Sequence, residues 1–258
     1  MFNAYILNIL KFGVIMEENI FDSWICNRCI AHRGLHNENL PENSLGAFEN
    51  AIKNNYPIEL DVRIIADGTL VVFHDEDLKR VCGLDRYSNT LTKHDLPNCK
   101  LLNTSYVIPT FDEVLNLVNG QVPLLIEIKQ NGKINELESK LYEKLKDYKG
   151  EFAIESFNPF SLEWFKINAP HIMRGQLSSF FKGVKLSYAK KYFLKHLKIE
   201  KISKPHFIAY DIDNLPNRYV RKYKHLPLLA WTVKSQQQYI KAVQVSDNVI
   251  FEGFEPKI

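Results

Sequence analysis

Residues 58–75, IELDVRIIADGTLVVFHD, hold two apolar, β-rich runs separated by an Asp67-Gly68 pair. The first run is Ile58–Val62 and the second Leu70–His74. A right-handed parallel crossover needs a dozen or more residues, and Arg63–Thr69 is too short to supply one. The two runs must therefore pair as an antiparallel hairpin, for which Asp67-Gly68 has the turn chemistry. An outgoing strand that extends above the rest of its sheet would then be followed by one that brings His74 back toward the top.

Working outward, seven further runs of the same kind follow a different rule. Cys29–Arg33, Leu124–Lys129, Phe152–Phe157, Met173–Leu177, Phe207–Ile212, Leu228–Val233 and Val249–Phe254 join Ile58–Val62 in alternating with longer helix-patterned segments. Helices are expected over Asn43–Asn54, with Ser44 near the start, and over Ile134–Tyr148, Ser161–Ile167 and Asn217–Lys224, with one more after Thr110. Repeated βα units imply a parallel sheet. A chain of 258 residues has the size of one such barrel. The expected fold is α/β: a single (β/α)8 TIM-type barrel with a hairpin extension after the second strand and a loop-rich insertion, Glu76–Pro109, over the top face.

The barrel domain is expected over 29–258, preceded by an N-terminal extension, 1–28. The extension begins MFNAYILNILKFGVIM, apolar except for Lys11. This stretch is too short to span a bilayer and lacks a basic leading region or a small-residue cleavage site. Two readings stay open: a helix lying on a membrane, or a protein that starts at Met16.

Composition, 45% hydrophobic and 24% charged, is that of a globular enzyme with a sizeable core. The net charge of +3 gives no reason to expect a nucleic-acid partner. Four cysteines, with one C-x-x-C at Cys26 and Cys29 but no second ligand pair, suit a reducing compartment rather than a disulfide framework or a zinc site. Charge is uneven, however. Ser178–Lys204 contains eight lysines and one acid, Glu200. On a helix, Leu186, Ala189, Phe193 and Leu197 would share one face and Lys191, Lys195 and Lys198 the other. The plain expectation is a barrel helix with a solvated lysine face; the sharper one is peripheral contact with an anionic membrane.

Barrel active sites lie at the C-terminal ends of the strands, and polar residues collect there. The first run ends in Ala31-His32-Arg33-Gly34, the second holds Glu59 and Asp61, the hairpin return ends in His74-Asp75, and Leu124–Lys129 carries Glu127 and Lys129. Strand alternation puts Glu59 with Asp61 and Glu127 with Lys129. Three buried carboxylates would repel unless a hard divalent cation with oxygen ligands neutralised them, which points to Mg²⁺ or Ca²⁺. Arg33 and Lys129 suit a phosphoryl group, and His32 and His74 are the candidate acid and base at neutral pH. Structural ion pairing of these charges is the plain alternative. Their joint placement on central strands argues against it.

The ordered set H-R-G (32–34), P-E-N-S (41–44), E-L-D-V (59–62), D-G (67–68), V-F-H-D (72–75), E-I-K (127–129), S-F-N-P (156–159) and W-T-V (231–233) resembles the glycerophosphodiester phosphodiesterase family. The resemblance implies a metal held by Glu59, Asp61 and Glu127, catalysis by His32 and His74, phosphate contacts from Arg33 and Lys129, Glu42 near the metal and first histidine, and Trp231 against the glycerol. It implies hydrolysis of small glycerophosphodiesters to glycerol 3-phosphate and an alcohol. Separately, the cysteine usage and the apolar and basic segments give the expectation of a cytoplasmic location, peripheral to a membrane in the sharper reading. Alternatives are a lysophospholipase D-like enzyme and a silent barrel used for binding. The chain departs from the family at Lys234, commonly Asn, and at Phe251-Glu252-Gly253, where the family often has I-T-D; both bear on the alcohol group.

Overall fold

A computed structural model describes residues 19–130 and 132–257. The strands in chain order are β1 (Ile30–Ala31), β2 (Ile58–Ile64), β3 (Leu70–Val72), β4 (Leu124–Ile128), β5 (Phe152–Ser156), β6 (Arg174–Ser178), β7 (Phe207–Asp211), β8 (Leu228–Val233) and β9 (Asn248–Phe251). All but β3 pair in parallel, from β2 through β4 to β9, and β1 closes the ring by pairing with both β9 and β2. The result is a closed eight-stranded α/β barrel. β3 stands outside the ring, antiparallel to β2 with Val62 opposite Val72 and Ile64 opposite Leu70.

Two apolar layers hold the barrel. Ile58, Leu60 and Val62 face outward onto Phe48, Phe111, Leu141 and Phe165 of the surrounding helices. Ile30, Leu125, Ala153, Leu177, Phe207, Ala209, Leu229 and Ile250 fill the lumen. Burial on both faces is why these strands read as unbroken apolar runs. Gly175 is part of the lumen packing, because a Cβ there would come within 2.0 Å of the Phe207 ring. That ring is fully buried, and a buried Phe is worth about 3–5 kcal/mol relative to Ala.

β1 is shorter than the expected Cys29–Arg33 because the chain turns at once: Arg33 has φ +55° and Gly34 φ +81°. A side chain at Gly34 would strike Ala47 and Phe48 at 2.9 Å. Ser44 caps the helix Leu45–Lys53 by accepting from the Ala47 amide at 3.1 Å. The insertion, though poor in regular structure, shares a separate core with the hairpin, in which Leu78, Val81, Leu91, Leu96 and Leu101 pack with Val71 and Phe73.

Of the expected extension, residues 1–18 lie outside the described residues. Trp24 and Ile25 join the lumen cluster, and buried Asn248 donates to the carbonyls of Ile25 and Arg28. No helix among the described residues is long and apolar enough to cross a membrane.

Two helix expectations change. Asn217–Lys224 forms only a 3-10 turn, Val220–Tyr223, because Asn217 accepts from the amides of Tyr219 and Val220 and holds them in a local turn. In the lysine-rich segment the helix runs Tyr188–Lys195, with Ala189 and Phe193 exposed and Lys195 turned inward over the Phe180 ring at 4.1 Å. Cation–π attraction has turned one lysine of the expected solvated face inward, while Leu197 is buried and Lys198 exposed as apolar periodicity selects.

Candidate active site

Register sets the first row. Asp61 on β2 is opposite Glu127 on β4, which is opposite Glu155 on β5. Glu59 lies on the same side of β2 as Asp61, and oxygen atoms of Glu59, Asp61 and Glu127 all fall within 4.8 Å of one another. All four carboxyls are buried. Two cations face them: Lys129 Nζ lies 2.7 Å from Glu127 and 3.1 Å from Asp61, and Arg33 Nε lies 3.3 Å from Asp61. If every group ionised, two negative charges would remain in excess.

The electrostatics show this tension. Burial, with Asp61, Glu127 and Glu155 nearby, pushes the Glu59 carboxyl well above the usual range. Burial beside Glu127 does the same to Glu155. Burial also raises Glu127, against the pull of Lys129. Asp61 is equally buried, but Lys129 and Arg33 outweigh that and hold it below the usual range. These contacts satisfy charge better than hydrogen bonding. Asp61 Oδ1 and Arg33 Nε, although close to opposite charges, lack hydrogen-bond geometry to any partner among the described residues. An all-oxygen donor set with an orphaned buried acceptor and excess negative charge fits a hard divalent cation.

Both histidines border the same cavity, together with Arg33, Glu59, Glu127, Lys129, Glu155 and Trp231. His32 Nδ1 lies 2.5 Å from Glu252, and His74 Nδ1 lies 2.6 Å from Asp75. Each carboxylate engages Nδ1, which leaves Nε2 as the free ring nitrogen. Burial lowers the His32 pKa, and its bond to Glu252 opposes that. Arg63 holds the His74 carbonyl, donating to it from Nε at 2.9 Å, and so fixes where the hairpin return ends.

Glu42 is outside the set of converging oxygens but is tied to it through Arg33. It bridges Arg33 and Arg80, each at 2.6 Å, and Arg80 continues to Asp75 at 2.7 Å. Burial opposes ionisation of Glu42, but the two guanidiniums outweigh it and lower its pKa. A chain of ion pairs thus runs from Arg33 to the His74 partner.

Beside the charged wall the cavity is apolar: Phe157, Leu177 and Trp231 line it, with Phe157 edge-on to Trp231 at 5.5 Å. The Trp231 indole nitrogen and Glu155 Oε2 are buried there without hydrogen-bond partners among the described residues.

Sequence reasoning missed Glu155, Asn43, Asp75 and Glu252. Asn43 Nδ2 donates to Asp61 at 2.8 Å and orients it. Strand parity with Ala153 could have exposed Glu155, and Asp75 adjoins His74 in sequence. The two departures noted above meet in space: Lys234 Nζ lies 2.6 Å from one oxygen of Glu252, whose other oxygen meets His32.

The cysteines play no part. Burial pushes the Cys26 thiol up to about 12 and raises that of Cys29, so neither is poised to react.

The comparisons with known proteins agree. A glycerophosphodiester phosphodiesterase of Caldanaerobacter subterraneus subsp. tengcongensis is 36% identical over 162 residues, 57% of this chain and 65% of that protein. A lysophospholipase D, GDPD1, of Rattus norvegicus is 33% identical over 156 residues, 55% of this chain and 48% of that protein. The matched stretch thus spans less than two thirds of either relative. Among solved structures, the glycerophosphodiester phosphodiesterase of Thermotoga maritima superposes with a TM-score of 0.68 at 27% identity, covering 87% of this chain and 94% of that one. An Oleispira antarctica phosphodiesterase in complex with the product sn-glycerol-3-phosphate shares the fold, with a TM-score of 0.71 at 24% identity, covering 87% and 92%. Residues 32–250 match the model of the glycerophosphoryl diester phosphodiesterase family, and the chain belongs to that family.

Proposed function

We propose that the chain hydrolyses glycerophosphodiesters, deacylated phospholipids such as glycerophosphocholine or glycerophosphoethanolamine, to glycerol 3-phosphate and an alcohol with the help of Mg²⁺ or Ca²⁺. The observation that carries this is the set of Glu59, Asp61 and Glu127 oxygens within 4.8 Å, beside two imidazoles on one cavity. Glu59, Asp61 and Glu127 would hold the ion. When bound, it would offset their charge and stabilise negative charge developing on the phosphoryl oxygens.

The side chains do the rest. Arg33 and Lys129 draw the phosphate to the charged wall. One imidazole Nε2 takes the proton of the nucleophile, either water or a glycerol hydroxyl whose cyclic phosphate water then opens, and the other gives a proton to the leaving alkoxide. Trp231 and Phe157 cover the glycerol carbons, while the indole N–H and Glu155 answer its hydroxyls. We take 29–258 as the catalytic unit, in a reducing cytoplasm and peripheral to a membrane.

The test is release of glycerol 3-phosphate from glycerophosphocholine and glycerophosphoethanolamine after chelation, then with Mg²⁺ or Ca²⁺ restored. Metal-restored turnover is expected. A folded protein with no turnover under any metal would overturn the assignment.

Metal removal should also show in stability. Glu59 and Glu127 have folded pKa values raised above their unfolded ones, so their contribution favours the metal-free fold at low pH and is lost as pH rises. Metal binding requires the same carboxyls deprotonated. The rise in Tm on adding metal should therefore be larger at about pH 8 than at about pH 6; a pH-independent rise would separate metal binding from these carboxyls.

A further inference from the structure

The connection from β6 to β7 is built on the rim that carries the site. Ser178, the last residue of β6, donates to the Leu194 carbonyl at 2.9 Å, and the Tyr210 hydroxyl of β7 donates to the Lys195 carbonyl at 2.9 Å. The C-terminal end of the Tyr188–Lys195 helix is thus pinned to the C-terminal ends of two barrel strands. The helix itself contributes no buried residue. Its inner side is held by stacking: Lys195 over Phe180, the Tyr192 ring 4.1 Å from His196, and His196 4.1 Å from Tyr219.

With Lys195 turned inward over Phe180, other apolar and aromatic groups of the segment are left in solvent. Val184 is 46% exposed, Tyr188 87% and Phe193 49%. Lys182, Lys185 and Lys190, neighbours of these residues in sequence, are also exposed. Lysines outnumber acids by seven across residues 178–204, while the whole chain carries only +3.

These features select the occupant. A second copy of the chain presenting this face would bring two strongly cationic segments together, so self-association is opposed. An anionic bilayer matches both features: apolar and aromatic side chains enter the headgroup region while lysine stems lie along it and their ammonium groups meet lipid phosphates. We propose that the β6–β7 connection is a membrane-docking surface, in which Val184, Tyr188 and Phe193 insert among anionic lipids and Lys182, Lys185 and Lys190 bind their headgroups. It brings the barrel mouth to the lipid, and it stands independently of which phosphodiester is hydrolysed.

The experiment is sedimentation of the full chain with vesicles of phosphatidylcholine plus phosphatidylserine, against phosphatidylcholine alone, at low and high salt. Binding to the anionic vesicles that high salt weakens is expected. With about fivefold in binding per lysine, K182Q/K185Q/K190Q should lower it roughly a hundredfold. V184S/F193S should lower it on the order of tenfold at unchanged charge. Unchanged melting temperatures establish that both variants fold. Equal partitioning to the two vesicle types, anionic binding that both variants retain, or a loss of self-association in V184S/F193S without vesicle binding would each overturn the proposal.

Discussion

His32 and His74 make the same bond by different routes. Glu252, the partner of His32, lies 220 residues away along the chain, whereas Asp75 is the immediate neighbour of His74. His32 is also the deeper, with its side chain 14% exposed against 33% for His74. The remote pair exists only where β1 and β9 meet, so it depends on closure of the barrel. The local pair needs only the hairpin, pinned by Arg63. One imidazole is placed by topology and the other by adjacent sequence, and the two should respond differently when their supports are removed.

The largest effect tests whether both rings belong to one reaction. His32→Ala and His74→Ala should each lower kcat by about 10²- to 10⁴-fold with little change in melting temperature. Turnover near that of the wild type in either folded variant would remove that histidine from the chemistry. The double variant should lose little beyond the worse single one, because groups that act as a unit are not additive.

The next effect addresses the supports. Glu252→Gln should lower kcat by about 10- to 100-fold, as loss of a carboxylate behind a functional histidine does, while KM stays nearly constant. Asp75→Asn should cost less, because His74 is more exposed and its carbonyl remains fixed by Arg63. Glu252→Asp, with shorter reach, should recover part of the loss. Equal losses in Glu252→Gln and Asp75→Asn, read as kcat against KM, would erase the distinction between remote and local placement. Lys234 enters this comparison as well, because it holds the second oxygen of Glu252.

That contrast also explains what the sequence disclosed. The hairpin was legible because Asp67-Gly68 and a short gap leave one pairing, and the metal-type carboxyls because Glu59, Asp61 and Glu127 alternate correctly within unbroken apolar runs. Ser44 announced its helix by its position before an apolar-periodic segment. The Glu252 contact was not legible: it depends on β9 returning beside β1, and the last strand shows only a charged residue at its end. The lysine-rich segment, read correctly at Leu197 and Lys198, misled at Ala189, Phe193 and Lys195 for a different reason. Periodicity assigns apolar side chains to the inside, whereas here Phe180 and Tyr219, outside the helix, attract Lys195 to the inner face. Glu155 was hidden because a lone acid in an apolar strand carries no sign of whether it meets a cation, a ligand or water.

Glu155 offers the smallest effect and the sharpest control. It lies in the same strand row as Asp61 and Glu127, yet it is outside the set whose oxygens converge, and its buried Oε2 lacks a partner. It lines the same cavity as Phe157, Leu177 and Trp231. If it answers the glycerol hydroxyls, its removal should appear in KM, where both histidines appear in kcat. Glu155→Leu should raise KM for a glycerophosphodiester about tenfold, the worth of one lost hydrogen bond, and Glu155→Gln should restore most of it. A phosphodiester without free hydroxyls on the retained alcohol should be hydrolysed by Glu155→Leu as well as by the wild type. A fall in kcat shared by both substrates would instead tie Glu155 to the carboxyl cluster, placing it with the groups that hold charge rather than with those that read the polyol.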